Sequence, residues 1–308
     1  MLNRYYLLFD VGGFFIRGGA LLSHKKELLP YTMLFYPARS HLNREELLDH
    51  FVDIICKQMI SIMDKYFIID GIAFAFPGPF DYENGICLIS GVNKFDSLYG
   101  VDLLTELKNR LAKQPVFKSN AATDFTITFK NNVSMFALGE RHLRSKDYHF
   151  TKMICLTIGN GTGSAFLEND KIIESRDDVP PNGWVYNLPF KDSIVDDYIS
   201  SRGIFRIIKE MELSLDLSLE TIAEGARNGN SSMIEVFNRF GQLLGEMLLP
   251  WLQKFHPDVV VIGGQISNSY DLYKKQLFTY LGKESVDILI SENTSYSTFV
   301  GLSEAIFN

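Results

Sequence analysis

No apolar run in this 308-residue chain approaches the roughly 18 residues that a membrane-spanning helix needs. The opening Met1-Leu2-Asn3-Arg4 leads directly into a β-like run without the charged-then-apolar pattern of a secretory leader. The expected location is therefore cytoplasmic, with no membrane partner. Cysteine is scarce: Cys56, Cys87 and Cys155 stand far apart in apolar surroundings, with no Cys-x-Cys or Cys-x-x-Cys pair. That spacing excludes a knuckle of paired thiolates and reads as buried thiols in a reducing compartment rather than disulfides. Positive charge is in deficit, with 30 Lys and Arg against 37 Asp and Glu, for a net charge of −7. A nucleic acid would find no general basic field, and His24-Lys25-Lys26 reads as solvated surface. Low-complexity linkers and charge blocks are also missing.

What the chain does have is apolar content, 46% of its residues, enough for one large core or two ordinary ones. Its length favours two domains. Two glycine loops punctuate it. Leu7-Leu8-Phe9-Asp10-Val11-Gly12-Gly13 and, about half a chain later, Cys155-Leu156-Thr157-Ile158-Gly159-Asn160-Gly161-Thr162-Gly163 each leave an apolar β-like run. Glycine lets backbone N–H groups approach phosphate oxygens with no Cβ in the way, and a carboxylate such as Asp10 can hold the Mg²⁺ that accompanies them. A Gly-Gly after a strand is also an ordinary hairpin turn. Together the two loops suggest a nucleotide held between two halves of the molecule.

The first quarter reads as strand, turn, strand over Tyr5 to Asp10 and Phe14 to Leu22, followed by a third run from Thr32 to Tyr36. Asn43 as N-cap with Glu45-Glu46 predicts a long helix carrying Leu47, Phe51, Ile54, Ile55, Met59, Ile62 and Met63 on one core-facing stripe. Ile68 to Phe76 is an apolar strand halted by Pro77-Gly78-Pro79, and Val101 to Leu111 is a second helix closing this half near Pro115. The second half restarts the pattern with strands at Ile127-Thr128-Phe129 and Met153 to Ile158, a helix over Ser134 to Arg144, and the second glycine loop leading into Ser164-Ala165-Phe166-Leu167. Phe237, Phe240, Leu243, Leu244, Met247 and Leu248 follow at helical spacing, then the strand Val259 to Ile262 and the turn Gly263-Gly264. The mixture predicts an α/β fold of two domains around a cleft, 1–118 (joined by a last helix near 298–308) and 119–297.

Four segments occur in a telling order: Phe9-Asp10-Val11-Gly12-Gly13 with Arg17; Asn131-Asn132-Val133-Ser134-Met135-Phe136-Ala137-Leu138-Gly139-Glu140; Gly159-Asn160-Gly161-Thr162-Gly163; and His256-Pro257-Asp258-Val259-Val260-Val261-Ile262-Gly263-Gly264. In them the chain resembles the ROK family of bacterial sugar kinases, including glucokinases, and NagC-like transcriptional regulators, within the actin-like ATPase superfamily of ribonuclease H-like folds. The resemblance implies ATP bound by Asp10, Gly12, Gly13, Arg17, Gly159, Asn160, Gly161, Thr162, Gly163, Gly263 and Gly264, with Mg²⁺ held at Asp10 through the ATP. It implies a hexose whose hydroxyl yields its proton to a catalytic aspartate, and a sugar site including Gly78, Asn93, Asn131, Asn132, Trp184 and Asp196. A homodimer is the expected assembly. Family repressors carry a winged helix-turn-helix ahead of the first loop. Here nine residues precede Asp10, so no direct nucleic-acid binding is expected.

The departures fall on the sugar side. The family's catalytic Asn-Asp pair aligns with Asn131-Asn132, and a carboxamide cannot accept a proton at neutral pH although its oxygen can hydrogen-bond a hydroxyl. The two asparagines also read as turn residues before a helix, and Asp124 and Asp81 are conceivable substitute bases. The family's Glu-x-Gly-His clamp falls on Pro180-Pro181-Asn182-Gly183-Trp184-Val185-Tyr186-Asn187, where proline stands for the glutamate and Trp184 for the histidine. Trp184 reads either as a stacking platform for a sugar face or as a packed hydrophobe. The stretch before Asp196-Asp197-Tyr198-Ile199-Ser200 has neither cysteine nor histidine, so the family's zinc is not expected. Asp196 stands for a sugar-binding glutamate, one methylene shorter, and Phe14 replaces the hydroxyl residue that follows the first Gly-Gly. The expected activity is ATP-dependent sugar phosphorylation, slow or absent. The alternatives are a pseudokinase that senses sugar or nucleotide without chemistry, and a regulator without a DNA-binding domain.

Overall fold

The computed structural model describes residues 2–91, 94–145, 148–213, 217–284 and 286–307. They form two compact units, Met1–Gly139 with Ser295–Asn308, and Glu140–Thr294. The first is built on β1 (Asn3–Val11) and β2 (Phe15–Leu22), an antiparallel pair closed by the Gly12-Gly13 turn, with β3 (Glu27–Leu28) and β4 (Leu34–Pro37) both paired to β2. Helix α1 (Arg44–Ile60) starts where Asn43 accepts a hydrogen bond from the Glu46 N–H at 3.1 Å, leaving Glu45 and Glu46 in the positive first turn. It ends before Ile62 and Met63, and Met63 is 79% exposed rather than part of the apolar stripe.

After α1 come β5 (Phe67–Phe76), the small hairpin β6 (Phe80–Asp81) and β7 (Ile86–Cys87), helices α2 (Leu103–Leu111) and α3 (Pro115–Asn120), β8 (Ala121–Asn131) and α4 (Asn132–Arg144). The sheet order is β3-β2-β1-β5-β8, with β1, β5 and β8 parallel. Register places Phe9 beside Phe74 and Phe74 beside Phe129, and the three rings stack at 5.1 Å across the sheet. Only Ile127-Thr128-Phe129 of β8 reads as strand in the sequence, and there it is placed in the second half. The structure corrects both points. β8 runs 11 residues along β5, so residues 119–139 belong to the first unit and the chain divides at Gly139 rather than after residue 118. Its exposed Thr126, Thr128 and Lys130 alternate with buried Ile127 and Phe129, which dilutes the apolar signal.

The second unit repeats the plan. β9 (Lys152–Ile158), β10 (Thr162–Glu168) and β11 (Lys171–Ile172) are antiparallel neighbours. After the small hairpin β12 (Pro189–Phe190) and β13 (Ser193–Ile194), helices α5 (Ser201–Glu210), α6 (Leu219–Arg227) and α7 (Ser231–Phe255) lead to β14 (Val259–Gly263), which adds parallel to β9. Helix α8 (Tyr270–Leu281) and β15 (Asp287–Ile290) complete the order β11-β10-β9-β14-β15, the pattern of the first sheet. Last comes α9 (Thr294–Phe307), nearly all of it within the first unit. A Cβ on Gly139 of α4 would fall 1.7 Å from the Ser297 carbonyl of α9, and one on Gly301 would fall 1.8 Å from the Met135 carbonyl. The two helices therefore touch backbone to backbone. Cys87 and Cys155 are buried and Cys56 half-buried, all as free thiols. Among the described residues no helix is long and apolar enough to cross a membrane.

Candidate functional site

Parallel strands collect loops at their carboxyl ends, where α/β sheets bind ligands. In the first unit this edge holds Asp10 and Gly12-Gly13 after β1, Pro77-Gly78-Pro79 after β5, and Asn131-Asn132 after β8. With strands about 4.8 Å apart, Asn131 lies roughly 10 Å across the sheet from the β1 terminus. Asp10 is buried and sits opposite Arg17 in the β1–β2 register, with Arg17 Nη1 at 3.5 Å from Oδ2. Ser295 Oγ of α9 donates to the same oxygen at 2.9 Å. Burial raises the Asp10 carboxyl above its ordinary value, opposed in part by Arg17 and Ser295. Both hydrogen bonds converge on Oδ2. The glycines have ordinary φ but little room. A Cβ on Gly12 would lie 3.0 Å from the Phe15 carbonyl, and one on Gly13 would lie 2.6 Å from Lys94 Cδ. Phe14 is 62% exposed.

Asn131 and Asn132 have different roles. Asn131 Oδ1 accepts the N–H groups of Val133 and Ser134, both at 3.0 Å, and so caps α4; its Nδ2 donates to the Tyr82 hydroxyl at 2.9 Å. Its carboxamide is thus committed to the fold. Asn132 opens the helix, half-buried, its Oδ1 receiving the adjacent Val133 N–H at 2.9 Å. Asp124 is excluded as a substitute base. It lies seven residues before Asn131 on β8, at the register shift in the β5–β8 pairing, and faces Arg4 at 3.8 Å at the sheet's opposite end. Asp81 is taken up in its own hairpin turn, accepting from Glu83, Asn84 N and Asn84 Nδ2. Asn93 lies outside the described residues.

In the second unit, β9 and β14 are adjacent and parallel, with Gly263 beside Thr157. The Gly159–Gly163 loop and the Gly263-Gly264 turn therefore share one edge. Gly264 has φ +87, its N–H donates to Thr294 Oγ1 at 2.9 Å, and a Cβ there would strike the Ile158 carbonyl at 2.4 Å. Gly159 differs: a Cβ would meet nothing closer than Gln265 N at 3.9 Å, so the fold itself does not demand glycine there. Its neighbour Asn160 is half-buried. Thr162 N donates to Asp196 Oδ1 at 2.5 Å, Thr162 Oγ1 donates to the Ile199 carbonyl, and Ser201 N donates to the Gly159 carbonyl at 2.8 Å. Arg202, which no sequence motif marked, pairs with Asp196 Oδ2. Trp184 is half-buried, its ring 6.0 Å from that of Tyr186, whose carbonyl accepts the Asp196 N–H. Burial raises the Tyr186 hydroxyl, and the Asp196 carboxylate adds to the effect.

The two sheets share one strand order, each with its glycine turn between antiparallel strands at the head, and the ROK family model matches residues 33–304. The chain belongs to the ROK family. Among curated relatives of this ROK protein are the glucokinase of Thermotoga maritima, 24% identical over 252 residues (75% of this chain, 71% of that one), and the N-acetyl-D-glucosamine kinase of Vibrio parahaemolyticus, 24% identical over 292 residues (88% and 87%). Among solved structures, a ROK family glucokinase from Streptomyces griseus in complex with glucose and AMPPNP superimposes with a TM-score of 0.72 at 16% identity, covering 98% of each chain. A ROK family transcriptional regulator, a homolog of the E. coli MLC protein, superimposes with a TM-score of 0.76 at 15% identity, covering 99% of this chain and 79% of that one. The fold of this ROK protein is the two-unit, actin-like α/β fold.

Proposed function

We propose that this ROK protein transfers the γ-phosphoryl group of ATP to a hydroxyl of a hexose or hexose derivative, slowly, because the position that should carry the base carries Asn132. The observation that carries the reading is the pairing at the first unit's carboxyl edge: a buried carboxylate, Asp10, at the end of β1 and a carboxamide, Asn132, at the start of α4. The donor sets fit Mg-ATP. Burial makes Asp10 short of compensating charge, Oδ1 faces no described partner, and Gly159 leaves space that the fold does not use. When bound, Mg-ATP supplies the phosphoryl group and neutralises charge on its oxygens. Asp10 would hold the cation and Arg17 keep the carboxylate ionised. The loops at Gly12-Gly13, Gly159–Gly163 and Gly263-Gly264 would hold the nucleotide. Gly78, Asn132 and Trp184 would bind the sugar, and no zinc takes part.

Asn132 can accept a hydrogen bond from a hydroxyl and orient it, but it cannot take the proton. General-base assistance contributes about 10²–10⁴-fold, roughly 3 to 5 kcal/mol of barrier. An aspartate at 132 would sit at the positive end of α4, which favours its ionised, proton-accepting form. The same carboxamide supports a second reading, a sensor that binds sugar or nucleotide without chemistry. ADP release with Mg-ATP and a panel of glucose, amino sugars and β-glucosides separates the two when wild type is compared with Asn132→Asp. A gain of about 10²–10⁴-fold in the variant is expected. Wild-type turnover at about 1–100 per second would overturn the role given to Asn132, absence of ATP binding by calorimetry would overturn the nucleotide assignment, and binding without turnover in both proteins would favour the sensor.

A further inference from the structure

The resemblance implies that Asp196 binds sugar, yet every contact of its carboxylate points elsewhere. Oδ1 accepts the Thr162 N–H of the second glycine loop at 2.5 Å, and Oδ2 takes the Arg202 guanidinium, which also lies 3.7 Å from Asp197 Oδ1. A Cβ on Gly161 would fall 2.9 Å from Asp196 Oδ1, so the acid lies directly against the loop's backbone. The segment is fastened on both sides. The Thr162 hydroxyl donates to the Ile199 carbonyl, Ser201 N donates to the Gly159 carbonyl at 2.8 Å, and Ser200 Oγ donates to the Asp196 carbonyl at 2.6 Å. A carboxylate here orders the loop, but its charge also repels an incoming polyphosphate, and Arg202 is the cation paired with it among the described residues.

We propose that Asp196 and Arg202 are a positioning pair for the nucleotide loop: Asp196 holds Thr162 in place, and Arg202 neutralises Asp196 so that the loop accepts phosphate. The inference rests on the nucleotide reading above and removes Asp196 from the sugar contacts. Charge and shape then separate by mutation. Arg202→Met leaves an uncompensated carboxylate on the loop, and Mg-AMPPNP affinity falls about tenfold or more, the size of an unpaired charge–charge contact. Asp196→Asn keeps an acceptor for Thr162 N while losing the charge, so the double variant Asp196→Asn/Arg202→Met recovers most of that loss. Asp196→Ala removes the acceptor altogether, and faster hydrogen exchange across residues 159–166 accompanies weaker nucleotide binding.

The test is calorimetry with Mg-AMPPNP on the full chain, alongside glucose and N-acetylglucosamine titrations followed by tryptophan fluorescence and hydrogen exchange of the free protein. The expected result is the loss in Arg202→Met, its rescue in the double variant, and nucleotide affinity moving far more than sugar affinity. Two results would overturn the proposal with the nucleotide reading intact: Arg202→Met binding Mg-AMPPNP as wild type does, or Asp196→Asn weakening sugar binding tenfold with nucleotide affinity unmoved. A wild type that binds no Mg-AMPPNP would instead sink the nucleotide reading itself, and the pair's role with it.

Discussion

The turn after β1 is organised around a charge, whereas the loop after β9 is organised around hydrogen bonds that cross to another segment. At the first, a single buried carboxylate meets one arginine and one serine, both donating to Asp10 Oδ2. At the second, Thr162 and Gly159 are pinned by Asp196, Ile199 and Ser201. One strand plan, used twice, thus gives two different sites. The first turns on one buried charge, and the second on a hydrogen-bond network whose acid, Asp196, is itself paired with Arg202. Similar glycine spacing conceals this, because glycine records only that a side chain is unwelcome.

Glycine substitution should break the comparison most visibly. Gly264→Ala combines φ +87 with a 2.4 Å approach to the Ile158 carbonyl, and about 2–4 kcal/mol of stability should be lost in urea denaturation. Gly12→Ala meets only the Phe15 carbonyl at 3.0 Å with ordinary φ, and should cost about 1 kcal/mol or less. Equal losses would show that the Gly263-Gly264 turn, packed against the end of β9 at Ile158, is no more constrained than the turn after β1.

Next in size is Asp10→Asn, which should weaken Mg-AMPPNP binding at least about tenfold by calorimetry. Its stability profile carries a definite sign. Because burial raises the Asp10 carboxyl, the folded chain holds more protons than the unfolded one between the ordinary carboxylate range and that raised value. Wild-type stability therefore falls as pH rises through this window, and the asparagine removes that contribution. The variant should gain on wild type in denaturation series run upward from about pH 4, and a gain appearing only as pH falls would refute the assignment. The smallest effect is expected from Ser295→Ala, which deletes a 2.9 Å hydrogen bond to Asp10. About 1 kcal/mol of stability and a further rise of the Asp10 titration, followed by carboxyl NMR, are the expected outcomes.

The sequence made legible what depends on local pattern. Asn43 declared the start of α1, the apolar runs declared β1, β5, β9 and β14, and the glycine turns stand at the strand ends where they were expected. What escaped depends on neighbours distant along the chain. β8 is recognisable only beside β5, since its polar residues are acceptable on an edge strand. Ser295 reaches Asp10 across 285 positions, and nothing near either residue announces it. Asp196 carried a family role in the sequence, and only the Thr162 N–H and Arg202 reveal where its carboxylate is engaged. Asn131 was readable as a residue before a helix, and capping α4 is what it does.

The backbone contact of α4 with α9 gives Asn132 an unexpected dependence. Gly139 lies seven residues along the helix from Asn132, about two turns or 10 Å, and its seat is the main chain of Ser297 and Gly301. The address of the proposed sugar-orienting amide is thus written partly in the last dozen residues of the chain. A disturbance of α9 is therefore expected to act as a lever on that amide, through the main-chain seat of Gly139, with Asn132 itself unchanged.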